Sequence, residues 1–268
     1  MKEWIFENAT YLRLGIFVTL FLSLAIWEIL IPDHKPVVER KKRWPANILL
    51  VLLDNLLVRL FFPITAILLS ERAIANKWGL LQLYDVPEWL AVPIAIILLD
   101  MIIYIQHVIF HSIPILWKLH QMHHQDLDLD VTSGTRFHPI EIFISMVIKF
   151  MAIVSLGAPP LAVFLFEVVL NGMAMFNHSN IYIPERIEKF LRYFIVTPYM
   201  HRIHHSVHID EYNTNFGFNL SVWDRWMGTL KNDFRGELTL GLNYFRKLYY
   251  SRLDYLLLMP FLKKDQEK

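Results

Sequence analysis

The 268-residue chain has no cysteine, which excludes disulfides, iron–sulfur clusters held by the chain and a thiolate-ligated haem. Any redox metal it binds must sit on histidine, aspartate or glutamate. Charge of one sign is also lacking. The formal net charge is +1 and no block of lysine and arginine interleaves with aromatic residues, so nucleic acid is not an expected partner. No internal repeat, low-complexity tract, or flavin or nicotinamide fingerprint occurs. The opening residues, MKEWIFENATYLRLG, place acids ahead of the first apolar run, and no small-residue cleavage site follows it. A removable signal peptide is therefore not expected. The end, LKKDQEK, has neither a KDEL-type signal nor a lipidation box.

What is present is apolar. Hydrophobic residues make up 55% and charged residues 19% of the chain, and the mean hydropathy is +0.36, so the expected solvent is a bilayer. Residues 12–31 are uncharged from Leu14 to Trp27 and long enough to span. The loop DHKPVVERKKRW follows, in which Lys35, Arg40, Lys41, Lys42 and Arg43 outnumber Asp33 and Glu39; the positive-inside rule assigns it to the cytosol. A second run, Pro45 to Ser70, carries Asp54, Asn55 and Arg59, which are expected to face protein rather than lipid. A third, Leu90 to Ile109, returns the chain and delivers His107 and His111 to the cytosolic face. Ile140 to Leu156 and Leu161 to Met175 flank Gly157-Ala158-Pro159-Pro160 and read as a helical hairpin, short for two spans and interrupted by Lys149. The expectation is an all-α integral membrane protein of about four transmembrane helices or helical hairpins, with a cytosolic helical cap carrying a histidine-rich dimetal site. Residues 1–99 would form the N-terminal membrane helices, 100–230 a catalytic domain and 231–268 a cytosolic tail. The membrane would be a bacterial inner membrane or the endoplasmic reticulum.

Of 12 histidines, only His34 lies outside the interval His107 to His208. QHVIFH gives His107 and His111, HQMHH gives His120, His123 and His124, and HRIHHSVH gives His201, His204, His205 and His208. His138 stands in RFHP and His178 in FNHSN. Residues three and four apart share a helix face, so HxxxH and HxxHH each aim several imidazoles at one point. Neighbours such as His123 and His124 diverge by about 100°, so one block can touch two metals. A lone HxxxH on an apolar helix is more often a hydrogen-bonded core pair. Two HxxHH blocks with an HxxxH on one side of a membrane exceed what a core requires. Their supply of nitrogens also exceeds the four ligands of a closed zinc site, and imidazole suits Fe, Cu and Zn. His34, in the basic loop, and His208 are expected to be solvated. Asp100, seven residues before His107, shares its face and is expected to accept a hydrogen bond from an imidazole N–H.

These blocks resemble the fatty acid hydroxylase and sterol desaturase superfamily. The pattern reads Asp100…His107-xxx-His111, LWKLHQMHH, RFHPIE with His138 and Glu141, NHSN with His178, TPYMHRIHH, and the closing NTNFGFNLSVWDRWMGT with Asn215, Gly217, Trp223, Asp224, Arg225 and Gly228. The resemblance covers about Asp100 to Thr229. It implies metal ligands at His107, His111, His120, His123, His124, His178, His201, His204 and His205, with His138 as a tenth, and supporting roles for Glu141 and Asp224. It also implies two iron ions as cofactor, O2 as co-substrate and a membrane lipid (sterol, fatty acyl or related) that is hydroxylated or desaturated at an unactivated C–H bond. Ala174 departs from the acyl 2-hydroxylases, which carry a histidine there, and so favours the sterol-type branch. No HPGG haem motif is present. Electrons are expected from a separate reductase or small redox protein on the cytosolic side.

Three other classes of protein can be rich in membrane histidines. A bis-histidine haem electron carrier needs only single histidines on facing helices. A zinc-dependent intramembrane hydrolase lacks HExxH, and Glu141 is the only acid near a histidine in RFHPIE. A transporter or metal-storage protein would bind metal without consuming O2.

Overall fold

The computed structural model describes residues 2–265; Met1 and the last three residues of the expected tail, Gln266–Lys268, lie outside the described residues. Within them the chain is helical, with no strand and three isolated β-bridges. The short α1 (Lys2–Glu7) leads into α2 (Ala9–Leu30). Next come α3 (Arg40–Phe61), α4 (Ala66–Ala75), α5 (Leu80–Leu83), the long α6 (Glu88–Ser112) and α7 (Pro114–His124). A hairpin of α8 (Pro139–Leu156) and α9 (Pro160–His178) precedes α10 (Glu185–Leu191), α11 (Pro198–His204), α12 (Ile209–Tyr212), α13 (Val222–Met227) and α14 (Leu253–Leu258).

Five helical stretches are long and apolar enough to cross a membrane: α2, Arg40–Leu83, α6, α8 and α9. The protein is thus an all-α integral membrane protein, and both hairpin legs qualify, where the sequence suggests about four spans. Legs of 18 and 19 residues reach about 27–29 Å at 1.5 Å per residue, close to the ~30 Å of a hydrocarbon core. Lys149 does not interrupt the hairpin, because it pairs with Glu167 of α9 at 2.7 Å, and Glu167 is also held by Arg13 of α2.

Local sequence fixes the hairpin's ends. His138 caps α8 with Pro139 at the first helical position, Gly157 ends it at φ 64°, and Pro160 opens α9. The turn is clasped from the side. A Cβ on Gly79 would lie 2.0 Å from Gly157 N, so only glycine lets the two backbones meet, and Ser70 and Gln82 donate to the carbonyls of Ala158 and Gly157. Above this turn, Ala91, Ala95 and Leu99 of α6 pack with Ala152, Ile153, Ala162 and Val163 of the hairpin. Small side chains allow that close approach, as membrane helices require.

The large apolar side chains of α2 and α3, such as Leu14, Leu22, Leu52 and Leu56, point outward. Polar groups gather instead at the bundle end shared by the C-termini of α6 and α9 and the N-terminus of α8. There Glu28 accepts the backbone N–H groups of Val131 and Asn180, tying α2 to two loops. Arg43 is 1% exposed and joins Asp126 and Asp130 at 2.7 Å. Of the polar groups in α3, Asp54 faces inward, but Asn55 and Arg59 are exposed. Asn55 returns its amide to the Val51 carbonyl, and Arg59 occupies the last helical turn, where a long side chain can reach an interface. His34 is not free in solvent: its backbone pairs with the Asn180 side chain, and its Nδ1 lies 3.3 Å from Arg202. Nor does the segment after residue 231 hang loose. Leu242, Tyr244, Phe245, Leu256 and Met259 pack on Ala46, Leu50 and Met122 beneath α7.

Candidate metal centre

The histidines divide into two groups, within each of which the nearest ring nitrogens lie within 4.8 Å of one another. His107, His111, His120, His124 and His204 form one; His123, His178, His201 and His205 form the other. The division follows helix periodicity rather than sequence blocks. Three i, i+4 pairs, His107/His111, His120/His124 and His201/His205, each stay in one group, whereas His123 and His204 turn to the opposite group. The groups touch where His124 and His205 stack, with ring centroids 4.3 Å apart.

Hydrogen bonding on the outer side sets the tautomers. The Nδ1 of His107 faces the Phe216 carbonyl at 2.9 Å, that of His204 the Thr214 carbonyl at 2.7 Å, and that of His120 the Glu141 carboxylate at 2.7 Å. In the second group, Nδ1 of His123 faces the Arg136 carbonyl at 3.1 Å and that of His178 the Ala174 carbonyl at 2.7 Å. Carbonyl and carboxylate oxygens only accept, so each of these Nδ1 atoms carries the proton and each Nε2 is left with a bare lone pair. Yet the Nε2 atoms face one another. Nε2···Nε2 is 3.2 Å for His107–His120, 3.0 Å for His123–His178, 2.9 Å for His178–His201 and 3.2 Å for His201–His205. Two lone pairs at that separation repel unless a cation lies between them. Two nitrogens bound at about 2.1 Å to one ion, at 90–110°, are about 3.0–3.4 Å apart, which is the observed spacing. The Nε2 atoms of His111, His124 and His204 are buried without a hydrogen-bond partner, the pattern expected of metal ligands. The donor set therefore fits two metal ions.

Protonation would oppose that fit. Burial, reinforced by neighbouring imidazoles, pushes His123, His124, His201 and His205 well below the ordinary imidazole range. Burial outweighs the Thr214 hydrogen bond and takes His204 down to about 3. A histidine depressed in the fold adds stability that is complete above its unfolded pKa of about 6.5 and is lost as pH falls below it. Metal-stripped protein is thus expected to lose stability as pH falls below about 6.5, by up to about 1.4 kcal/mol per pH unit per such histidine. Thermal unfolding in detergent at pH 8 and pH 5 measures this, and equal midpoints would refute it.

The supporting acids act differently from one another. Glu141 receives the Nδ1–H of His120 at 2.7 Å. Asp100 does not accept from an imidazole; it takes the Trp223 indole N–H at 2.8 Å and the backbone N–H groups of Asn219 and Leu220. Asp224 takes the N–H groups of Phe216 and Gly217 at 2.8 Å each. Both acids thus anchor the closing segment, whose carbonyls at Thr214 and Phe216 orient His204 and His107. Asn215, between them, adopts φ 53°, a left-handed conformation that asparagine tolerates. These carbonyls, with those of Arg136 and Ala174, carry no side-chain signal in the sequence. His138 is not brought to either group. Its Nδ1 accepts from Ile140 N and its Nε2 faces the Leu257 carbonyl, so it serves as the cap of α8. His208 is exposed.

Known proteins resemble this region. The profile of the fatty acid hydroxylase family matches residues 92–229, just over half of the chain. An ornithine lipid hydroxylase from Rhizobium tropici is 32% identical over 154 residues, 57% of this chain and 45% of that protein. Human cholesterol 25-hydroxylase is 26% identical over 137 residues, 51% of this chain and 49% of the relative. An alkylglycerol monooxygenase from Xenopus tropicalis is 29% identical over 125 residues, 46% and 26% of the two chains. The aligned region thus spans half or less of each of these relatives. No solved structure matches the chain.

Proposed function

The chain belongs to the fatty acid hydroxylase family, and from that premise we propose that it is an O2-dependent oxidoreductase that hydroxylates an unactivated C–H position of a membrane lipid. The observation that carries this is the convergence of nine imidazoles into groups of five and four with lone pairs turned inward. We assign the ten-residue expectation to nine ligands, His107, His111, His120, His123, His124, His178, His201, His204 and His205, within a catalytic region of residues 100–230. The proposed cofactor is a pair of iron ions, which when bound supplies open coordination positions and the redox capacity to use O2 against a C–H bond.

The chain's own residues bind and orient. Glu141, Thr214, Phe216, Arg136 and Ala174 hold five of the imidazoles, His120, His204, His107, His123 and His178, in the Nδ1–H form, so that each of these offers Nε2 inward without a proton to displace. Burial keeps water from the groups, and the apolar helices beneath them bring the lipid from the bilayer. Five nitrogens within 4.8 Å of one another leave no plane for a porphyrin, which argues against the haem carrier. The names of the relatives, hydroxylases and monooxygenases, favour hydroxylation over desaturation. On this reading electrons come from a reductase or small redox protein, in keeping with the cysteine-free sequence, and the histidine end faces the cytosol, in keeping with the basic loop Lys35–Arg43.

Purified protein is expected to hold two irons per chain by elemental analysis. Expressed in cells grown under 18O2, it should place one 18O atom in a lipid that is absent from cells lacking it. Unlabelled product, or turnover by zinc-loaded, iron-free protein without O2, would refute the proposal.

A further inference from the structure

The inward face of α3 repeats at helical spacing as Arg43, Asn47, Leu50 and Asp54, all buried. Three of the four have partners. Arg43 holds Asp126 and Asp130, Asn47 donates to Thr132 Oγ1 at 2.9 Å, and Leu50 packs with Met122. Asp54 has none. It is 7% exposed, one of its oxygens is sealed off without a donor, and the charge acting on it is that of Glu141, also an acid.

Two further acceptors share this flank. Glu141 gives Oε1 to His120, and its Oε2 is buried without a donor. Gln106, next to His107, donates its Nε2 to Ser145, one turn along α8 from Glu141, and its Oε1 is also buried without a donor. Three helices thus bring buried acceptor oxygens without a donor to one side of the histidines. Buried polar groups are rarely left unsatisfied, and acceptors can be satisfied only by donors.

We propose that Asp54, with Glu141 Oε2 and Gln106 Oε1, is a recognition subsite for a hydrogen-bond-donating group, hydroxyl or ammonium, on the lipid substrate. This rests on the proposed function for the ligand's being a lipid. The subsite would hold the lipid by its polar group next to the imidazoles, and so select which carbon reaches them.

The test uses the protein as isolated, in nanodiscs, titrated with hexadecan-1-ol, hexadecylamine and hexadecyl methyl ether, with bound ligand counted by mass spectrometry. The alcohol or the amine is expected to bind about tenfold tighter than the ether, which has no donor. The compound preferred identifies the group. Asp54→Leu should reduce that preference to nothing while raising the thermal midpoint, since it removes an unpaired buried carboxylate. Asp54→Asn, which keeps an acceptor, should retain a preference for the alcohol but lose one for the amine. Equal binding of all three by the native protein, or an undiminished preference in Asp54→Leu, would overturn the proposal. Loss of bound metal in Asp54→Leu with the preference intact would assign Asp54 to holding Glu141, and would overturn it equally. Iron content and 18O labelling of the native protein test the proposed function separately, so failure of one is not failure of the other.

Discussion

Alanine at His123 is expected to cut bound metal from two ions per chain to about one and to abolish lipid oxidation, while insertion into the membrane persists. His123 belongs to the group of four, so its loss leaves three nitrogens, His178, His201 and His205, and weakens the hold on an ion there relative to the group of five. A bound metal contributes several kcal/mol to transition-state stabilisation, so turnover should fall roughly 10³-fold or more. His204→Ala is the matched case in the other group. Four nitrogens remain there, so it should keep more metal than His123→Ala yet still lose turnover. Elemental analysis and lipid product assays on both variants decide the matter. Native metal content with full turnover in either one would remove that residue from the site.

The second large effect is expected from Arg43, which touches no histidine. Its guanidinium donates to both oxygens of Asp126, at 2.7 and 2.8 Å, to Asp130 at 2.7 Å, and to the Asp128 carbonyl at 2.6 Å. Burial alone would raise the Asp126 carboxyl, but Arg43 and Arg136 outweigh it and bring it down to about 2. Arg43→Ala leaves two carboxylates buried against a single remaining guanidinium. Removing one partner of such a group costs about 3–5 kcal/mol, or a fall of about 10 °C in the unfolding midpoint. Lysine should not rescue it, because an ammonium cannot grip one carboxylate with two parallel donors while reaching another. The damage should reach the second histidine group as well. Asp126 lies 3.4 Å from Arg136, whose carbonyl orients His123. A variant as stable as the native protein would show that the network is ornamental to the fold.

Much of this is legible in the sequence. Histidine spacing alone indicates that i, i+4 pairs act together and that adjacent histidines diverge, and the groups of five and four follow that rule. The membrane spans were legible because apolar length is a direct consequence of bilayer thickness. What stayed hidden was long-range. Asp100 shares a face with His107, but its partners come from residues 219–223, more than a hundred positions later, and no local pattern reports them. His138 was drawn toward the ligands by its motif, whereas a polar residue before Pro139 is also the ordinary start of a helix. The carbonyls that fix the tautomers belong to the backbone, to which sequence patterns are blind.

The crossing of ligands between blocks also fixes an order of events during synthesis. One group needs His204 and the other His205, and both lie after His178, the last residue of the fifth membrane stretch. Neither group has its full set of histidines until all five of those stretches have been synthesised. Completion of each histidine group is therefore a late event of assembly, made on a bundle whose long apolar helices already exist.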